Sequence, residues 1–299
     1  MGLLKRDLYL LAIEHKKHPI KGNVLTLSQQ AVDATLDEVK LLLKNEKICL
    51  NNLPPGFDTK SKIPDWQGTG WDNSTNCQTV LTLLGAERVY AADISNYENP
   101  DIIMDLNAPV DNKYHNKFDV ILDAGTLEHI FNIPQALENI RLMAKPGGTI
   151  ILITPASGAI DHGFYQISPT LYYDYFGING FENFSCFILE GSGLKGKIYK
   201  YKPDATGILT LVSKKGIAVA FFASKSTNNL KTNMPIQGLY NASSYWHGES
   251  KSAYFEKKNL LKKFIMYLFF ISRKWRPDFI DRIWRKLRTK NKIIYIGRY

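Results

Sequence analysis

The residues most able to do chemistry lie in the stretch FDVILDAGTLEHI, residues 118–130. An apolar run there ends at Asp123, turns at Gly125 and then presents Glu128 and His129 together. The Val-Ile-Leu run predicts a strand buried on both faces. Ligands bind at the carboxyl ends of such strands in a parallel sheet. Because imidazole titrates near neutral pH, His129 is a candidate general base.

Each of these polar side chains also has a purely structural interpretation. Glu128 would be an acid favoured by the dipole at the start of a helix, and His129 would be a packed or capping histidine. A second candidate base, His162, lies in AIDHGFYQIS, where Tyr165 and Gln166 could position an acceptor. The alternative there is a surface loop with aromatic side chains tucked into the core, and we expect Phe164 to pack in this way.

The elements that position these residues alternate between strands and helices, which predicts an α/β fold with a doubly wound, mostly parallel sheet. Helices are predicted over residues 5–18, 28–44 (with Ser28 as N-cap), 75–85, 133–145 (with Pro134 in its first turn and Pro146-Gly147 past its end) and 170–176. Strands are predicted over residues 22–27, 88–93, 101–106, 118–123 and 149–155, with later, antiparallel strands over 185–191 and 216–225.

The composition bounds the class of protein. With 299 residues, 44% of them hydrophobic and 22% charged, the chain is long enough for a sizeable core and is typical of soluble globular proteins. The three cysteines, Cys49, Cys77 and Cys186, have no paired spacing, so neither a disulfide framework nor a zinc site is expected. A charged N-terminus without a signal peptide favours the cytoplasm.

Four motifs occur in a characteristic order: VYAADIS, DIIMDLN, FDVILDAGTLEHI and KPGGTIILITPA. In this order they resemble class I S-adenosylmethionine-dependent methyltransferases of the kind grouped as methyltransferase domain 11. The segment HGFYQISPTLYYDYFGINGF also resembles one that follows the fifth strand in bacterial members. The resemblance covers roughly residues 22–225. It implies a Rossmann-like class I fold, S-adenosylmethionine as cofactor and a methyltransferase-like domain over residues 1–225.

The resemblance also implies roles for particular residues. Asp93, with Ile94 after it, would accept hydrogen bonds from the cofactor's ribose hydroxyls. Asp105 and Leu106 would meet the adenine, although a turn before Asn-Ala-Pro is a nearly equal alternative. The cofactor cleft would further be lined by Asp123, Ala124, Gly125 and Glu128. His129 and His162 would then be the catalytic bases that face the acceptor.

Two features depart from the family pattern. A glycine-rich loop should follow the first strand, but the chain has Thr26, Leu27, Ser28 and Gln29 there, of which Ser28 and Gln29 would supply polar contacts to the cofactor. An insertion over residues 45–74 precedes the second strand, and its Trp66 and Trp71 would form a lid or pack on the sheet edge. Nicotinamide is disfavoured because no G-x-G-x-x-G joins a first strand to its helix.

The positive charge is concentrated at the C-terminus. Residues 251–299 hold 15 Lys and Arg against three acids, a net charge of +12, so the first 250 residues carry −2 of the overall +10. After a linker over residues 226–250, this extension is predicted to be a basic amphipathic helix. Its apolar face would comprise Phe279, Ile280, Ile283, Trp284 and Leu287. Residues 257–290 would bind an anionic membrane surface or dock on the domain; nucleic acid is not the expected partner.

Three functions remain open at this point. The first is methylation of a hydroxyl or carboxylate on a small-molecule or glycan/lipid-linked acceptor, by a cytoplasmic enzyme peripheral to the membrane. The second is a catalytically silent, methyltransferase-like binding module, which the missing glycine loop favours. The third is an RNA methyltransferase recruited by its basic tail.

Overall fold

The computed structural model describes residues 2–61, 74–191, 196–203, 213–226, 231–237 and 293–298. The helices in these ranges are α1 (Lys5–Glu14), α2 (Leu36–Asn45), α3 (Cys77–Leu84), α4 (Ile133–Met143) and α5 (Pro169–Ile178). The first six strands are β1 (Gly2–Leu3), β2 (Gly22–Leu27), β3 (Ala31–Val32), β4 (Ala86–Asp93), β5 (Ile102–Ile103) and β6 (Phe118–Ala124). The later strands are β7 (Ala144–Ser157), β8 (Phe181–Glu190), β9 (Lys197–Tyr201), β10 (Ile217–Lys225) and β11 (Ile293–Arg298).

Most of these strands form one large sheet. Its order, over the part of the chain that the structure describes, is β11-β9-β8-β10-β7-β6-β2-β4-β5. The five strands from β7 to β5 are parallel to one another, whereas β10, β8, β9 and β11 each pair antiparallel with their neighbours. The separate strands β1 and β3 form a short parallel pair. The predicted doubly wound, mostly parallel sheet with later antiparallel strands is therefore confirmed.

The sheet has a topological switch point between β2 and β6. From β2 the chain adds strands in one direction, first β4 and then β5, and it then returns to add β6 and β7 on the other side of β2. In open α/β sheets ligands bind outside the carboxyl ends of the strands at such a point. The fold therefore places the ends of β2, β4 and β6 around a candidate site.

Two apolar cores explain why the central strands are continuous Val/Ile/Leu runs. In β6, Ile121 faces one core while Val120 and Leu122 face the other, and all three side chains are buried. In β7, Ile150 and Leu152 alternate in the same way with Ile151 and Ile153. Because successive side chains of a strand point to opposite faces, a strand covered on both sides must be apolar at every position.

The predicted helix start at Ser28 is wrong. Residues 28–30 form a loop, Ala31–Val32 is a strand, and α2 begins only at Leu36. Thr35 is the N-cap: its hydroxyl accepts from the Glu38 backbone N–H, and the Glu38 carboxylate accepts from that of Thr35. This reciprocal capping box fixes the start of the helix.

Two further elements differ from prediction. The strand predicted over residues 101–106 is confined to Ile102–Ile103. Glu128 and His129 do not open a helix, because they lie in a 3-10 turn over Leu127–His129 and α4 begins at Ile133 with its proline in the first turn. The turn holds both side chains directly after the end of β6.

The C-terminal strand β11 pairs antiparallel with β9, so the end of the predicted extension belongs to the sheet. The amphipathic segment 257–290, most of the predicted linker, Trp66 and Trp71 lie outside the described residues. Among the helices that the structure describes, none has the length and hydrophobicity needed to cross a membrane.

Candidate active site

Strand register brings the predicted site residues to one edge of the sheet. Leu27 at the end of β2 pairs with Ala92 of β4 on one side and with Asp123 of β6 on the other. The residues that follow these three, Ser28, Asp93 and Ala124, therefore lie next to one another at the carboxyl edge. The pairing thus brings these three strand ends together.

Asp93 presents a partly exposed carboxylate at this edge. Its Oδ1 accepts hydrogen bonds from the Ser95 backbone N–H at 3.0 Å and from the Ser95 hydroxyl at 3.4 Å. Within the described residues its Oδ2 has no hydrogen-bond partner, and Ile94 beside it is 62% exposed. Asp93 therefore has an oxygen free to accept from a ligand hydroxyl.

Asp105 and Leu106 have mainly structural contacts. The Asp105 carboxylate accepts from the backbone N–H of Asn107 at 2.8 Å and from its side-chain amide at 2.9 Å, which lowers the pKa of Asp105. Leu106 is buried, and its carbonyl oxygen accepts from the Asn139 amide at 3.1 Å. These contacts match the turn interpretation of the pair, while the Asp105 carboxylate remains exposed.

The loop after β2 is closed by its own hydrogen bonds. The Thr26 hydroxyl donates to the Ser28 carbonyl oxygen at 2.9 Å, and the Ser28 hydroxyl accepts from Gln30 at 3.0 Å and from Thr126 at 3.2 Å. Ser28 is buried with φ of 64°, a conformation that favours glycine. The side chains of Thr26 and Ser28 are thus occupied within the protein, and Gln29 remains partly exposed.

Gln30 also carries an unused acceptor. Its amide nitrogen donates to the Leu27 carbonyl oxygen and the Ser28 hydroxyl, but its Oε1 is buried without a hydrogen-bond partner in the described structure. Buried polar groups are normally hydrogen-bonded. An acceptor left free in the loop after β2 is therefore suited to a ligand N–H, and this residue was not predicted from the sequence.

Asp123 shapes the turn after β6. Its side chain is fully buried and accepts from the backbone N–H groups of Thr126 at 2.9 Å and Leu127 at 3.4 Å. Burial raises the pKa of Asp123 to about 7, against the lowering effect of these hydrogen bonds. Ala124 is buried and Gly125 has φ of 101°, so the chain turns sharply there. Asp123 thus holds the turn after β6 in place.

Glu128 is the most constrained acid of the site. Its side chain is 1% exposed, its Oε1 lies 3.7 Å from His162 Nε2, and its Oε2 is buried without a partner among the described residues. Burial, and next the charge of Asp123, raise the pKa of Glu128 to about 8. Its carbonyl oxygen accepts from the backbone N–H groups of Phe164 at 2.7 Å and Tyr165 at 3.1 Å.

The two predicted bases meet in space although they lie far apart in the sequence. The rings of His129 and His162 are 5.1 Å apart between centroids, edge to face, and both side chains are exposed. Partial burial, and next the neighbouring His162, lower the pKa of His129. A mostly neutral imidazole at pH 7 is able to accept a proton.

An exposed apolar surface flanks the histidines. Phe131 is 70% exposed and Phe164 is 67% exposed, with ring centroids 5.7 Å apart, and Ile160 is 82% exposed. The Tyr165 hydroxyl donates to the Phe131 carbonyl oxygen at 2.8 Å. The expectation that Phe164 packs into the core is therefore wrong; the hydrogen bonds to Glu128 turn its loop outward.

Three residues that shape the site were missed. Gln30 gives little signal in the sequence, whereas Thr126 and Gly163 stand directly beside predicted residues. Thr126 lies three residues after Asp123, the spacing at which an Asp side chain accepts from a backbone N–H of its own turn. The Thr126 hydroxyl donates to the Leu27 carbonyl oxygen at 2.8 Å. Gly163 has φ of 80°, and a Cβ there would lie 2.8 Å from the Glu128 carbonyl oxygen.

No protein-family model matches the sequence, and no curated protein matches it. Among solved structures, the chain is similar to a Listeria monocytogenes protein assigned as an S-adenosylmethionine-dependent methyltransferase (13% identity; 74% of this chain and 99% of that chain; TM-score 0.38). It is also similar to the Burkholderia thailandensis 1,6-didemethyltoxoflavin-N1-methyltransferase, solved with 1,6-didemethyltoxoflavin and S-adenosylhomocysteine (11% identity; 74% of this chain and 78% of that chain; TM-score 0.35). A third is the CurJ carbon methyltransferase (12% identity; 72% of this chain and 51% of that chain; TM-score 0.35). The chain spans about half of that protein.

Proposed function

We propose that the chain is an S-adenosylmethionine-dependent methyltransferase that acts on an oxygen nucleophile of a small-molecule or glycan acceptor. The observation that carries the proposal is the arrangement at the switch point. A carboxylate with a free oxygen, Asp93, ends one strand, and a cluster of Glu128, His129 and His162 follows another. One edge of the sheet therefore offers both a site for a nucleoside and a site for proton transfer.

The described residues fit the proposed cofactor in two respects. Its ribose hydroxyls and its amino group are hydrogen-bond donors, and the edge offers two acceptors without partners in the described structure, Asp93 Oδ2 and the buried Gln30 Oε1. Gly125, with its positive φ and lack of a side chain, lets backbone come close at the end of β6. These features support cofactor binding without the glycine-rich loop after β2.

In the proposed reaction the cofactor supplies a methyl group on a sulfonium, which is already electrophilic. The protein then has to align the acceptor oxygen with the methyl group and to manage the acceptor's proton. His129 and His162 are placed to accept that proton, and a charged Glu128 would stabilise the imidazolium of His162 across 3.7 Å. A carboxylate acceptor would need no base, so loss of the histidines should affect hydroxyl acceptors more.

The surroundings of the histidines support an acceptor with an apolar face. Ile160, Phe131 and Phe164 are exposed beside them, and exposed apolar patches commonly mark binding sites. A sugar ring or a lipid-linked glycan has such a face. The basic segment 257–290 supports the further proposal that the enzyme meets its acceptor at an anionic membrane surface, because its sequence has the pattern of an interfacial helix.

A second candidate function is a catalytically silent module with the same fold. It is favoured by the loop after β2, whose polar side chains bond to one another and to Thr126. Calorimetric titration of the full-length protein with S-adenosylmethionine and S-adenosylhomocysteine distinguishes the two. We expect both ligands to bind with one site per chain. If neither binds to protein with a normal unfolding transition, the silent module replaces the enzyme.

A further inference from the structure

Three potential metal ligands converge on the acceptor side of the switch point. Glu128, His129 and His162 each offer one ligand atom, and these atoms all lie within 4.8 Å of one another. Two of the residues come from the turn after β6 and the third from the loop after β7. Because 33 positions separate the two histidines, no metal-binding spacing is visible in the sequence.

The buried carboxylate of Glu128 points to a missing partner. Its side chain is 1% exposed, yet its Oε2 makes no hydrogen bond within the described structure, and its Oε1 is 3.7 Å from the His162 ring nitrogen. A buried polar atom without a hydrogen-bond partner is unfavourable unless a ligand or a metal ion supplies that partner. A cation held between this carboxylate and the exposed histidines would satisfy Glu128.

The loop that carries His162 is fixed against Glu128. The backbone N–H groups of Phe164 and Tyr165 both donate to the Glu128 carbonyl oxygen, at 2.7 and 3.1 Å. Gly163 allows this approach, since a Cβ there would lie 2.8 Å from that oxygen and 3.1 Å from Glu128 Cγ. The backbone is thus preorganised, and only the two exposed imidazoles need to rotate to bring their nitrogens together.

We propose that Glu128, His129 and His162 bind a divalent transition-metal ion of the zinc type. Two imidazoles and one carboxylate suit such borderline ions, whereas magnesium and calcium prefer sites made of oxygen ligands. Zinc bonds to these groups are about 2.0–2.2 Å long, so ligand atoms in a closed tetrahedral site lie roughly 3.3–3.5 Å apart. The exposed histidine side chains would have to rotate to close the present separations, which are within 4.8 Å, to this range.

The consequence for chemistry rests on the proposed function. The exposed side of the ion would keep positions open, as catalytic zinc sites do. An acceptor hydroxyl bound there would break its O–H bond near neutral pH and release the proton to water, leaving a metal-bound alkoxide as nucleophile. His129 and His162 would then be ligands, and a free imidazole would not be needed as the base.

The test is titration of tag-free, full-length protein, freed of metal with a chelator and dialysed, with Zn²⁺ by calorimetry. Co²⁺, followed by its visible absorption, reports the ligand environment, and Mg²⁺ tests selectivity. We expect one Zn²⁺ per chain and no comparable binding of Mg²⁺. His129→Ala and His162→Ala should each weaken Zn²⁺ binding by roughly 10- to 100-fold or more and remove the Co²⁺ bands.

Two control variants make the result specific. Ile160→Ala alters an exposed side chain in the same loop without removing a ligand, and His115→Asn removes a histidine outside the cluster. Both should bind Zn²⁺ as the wild type does. The proposal is overturned if the wild type does not bind Zn²⁺, if His162→Ala binds it equally well, or if His115→Asn abolishes binding.

Failure of the metal site and failure of the methyltransferase proposal are distinguishable. Glu128→Gln, if it folds, should weaken Zn²⁺ binding; if it does not fold, the exposed histidines still carry the test. Cofactor binding without Zn²⁺ binding refutes the metal site alone. Zn²⁺ binding without cofactor binding, with the zinc present, refutes the enzyme alone.

Discussion

The Thr126 hydroxyl donates a hydrogen bond to the Leu27 carbonyl oxygen at 2.8 Å, which ties the turn after β6 to the end of β2 across the switch point. The same hydroxyl lies 3.2 Å from the Ser28 hydroxyl, which also accepts from Gln30. Side-chain hydrogen bonds thus brace the place where a glycine-rich loop was expected.

Replacement of Ser28 separates backbone strain from hydrogen bonding. Ser28→Ala keeps the positive φ of 64° and removes the hydroxyl, whereas Ser28→Gly removes the hydroxyl and relieves the strain. The left-handed conformation costs a non-glycine residue about 1 kcal/mol or more, so the glycine variant should be the more stable of the two by that amount. Urea unfolding curves measure the difference; equal midpoints for both variants would show that the strain is negligible.

Asp93→Asn tests the proposed ribose contact. The amide keeps the size of the side chain but removes the charge that strengthens a hydrogen bond, so S-adenosylhomocysteine should bind roughly tenfold more weakly. Calorimetry measures the change. Asp111→Asn is the matched control, because Asp111 is likewise an exposed acid that caps its own turn, but it precedes β6. An equal loss of affinity for S-adenosylhomocysteine in both variants would show that Asp93 is not part of the cofactor site.

The raised pKa of Glu128 predicts that the free energy of unfolding depends on pH. Its pKa is about 8 in the folded protein and about 4.5 when exposed, so between these values the folded state holds one proton more than the unfolded state. Stability therefore falls as pH rises from about 4.5 through about 8. In chelator-treated samples, Glu128→Gln should show a shallower decline than the wild type between pH 5.5 and 8.5, measured by denaturant unfolding. Parallel profiles would contradict a protonated Glu128.

Gly163→Ala should destabilise the loop that carries His162 by more than the backbone strain of an alanine at positive φ alone. The added Cβ would meet the Glu128 carbonyl oxygen at 2.8 Å, at a φ of 80°. Gly147→Ala is a control with nearly the same strain, since φ there is 77° but no atom of the described residues lies within 4 Å of the Cβ. We expect Gly147→Ala to destabilise by about 1 kcal/mol and Gly163→Ala by more. Only the second should weaken Zn²⁺ binding.

The basic segment 257–290 predicts binding to anionic vesicles. Neutralising part of its charge should reduce sedimentation with such vesicles, since each basic residue near the surface contributes about 1 kcal/mol at low salt. The variant replaces four residues with glutamine: Arg282, Arg285, Lys286 and Arg288. Unlike a truncation, it keeps β11 in the sheet.

A control for total charge neutralises four exposed lysines of the main domain. These are Lys40, Lys44, Lys47 and Lys60. This variant has the same net charge as the first and should sediment with vesicles as the wild type does. Equal losses in both would assign the attraction to overall charge instead of to the segment.

The sequence predicted the fold well where burial decides the residue types. In β6 the side chains of residues 120–122, and in β7 those of residues 150–153, face the two apolar cores in alternation, so an unbroken run of branched side chains marks each strand. The ends of elements were harder to predict. Ser28 has the residue type of an N-cap, but the cap is Thr35, where the Thr-Leu-Asp-Glu sequence carries the reciprocal capping box. That signal was available in the sequence.

The candidate site was predicted in its parts and not in its contacts. Asp93, Asp123 and Glu128 follow strands whose ends had to meet, so their proximity followed from the alternation of strands and helices. The meeting of His129 with His162 depends on the hydrogen bonds from Phe164 and Tyr165 to Glu128, which no local pattern reveals. The outward course of Phe164 has the same cause, because an aromatic residue in an apolar stretch is otherwise expected inside.

The pairing of β11 with β9 returns the chain to the sheet after the basic segment. Before this segment the chain leaves the sheet at the end of β10, and after it the chain rejoins the sheet as β11, three positions from β10 in the strand order. Because the described chain on both sides of the segment belongs to one sheet, a surface that binds the segment would be linked to that sheet at β10 and at β11. Attachment at these two strands would orient the whole sheet relative to that surface. The carboxyl edge that carries the candidate site would be oriented with it.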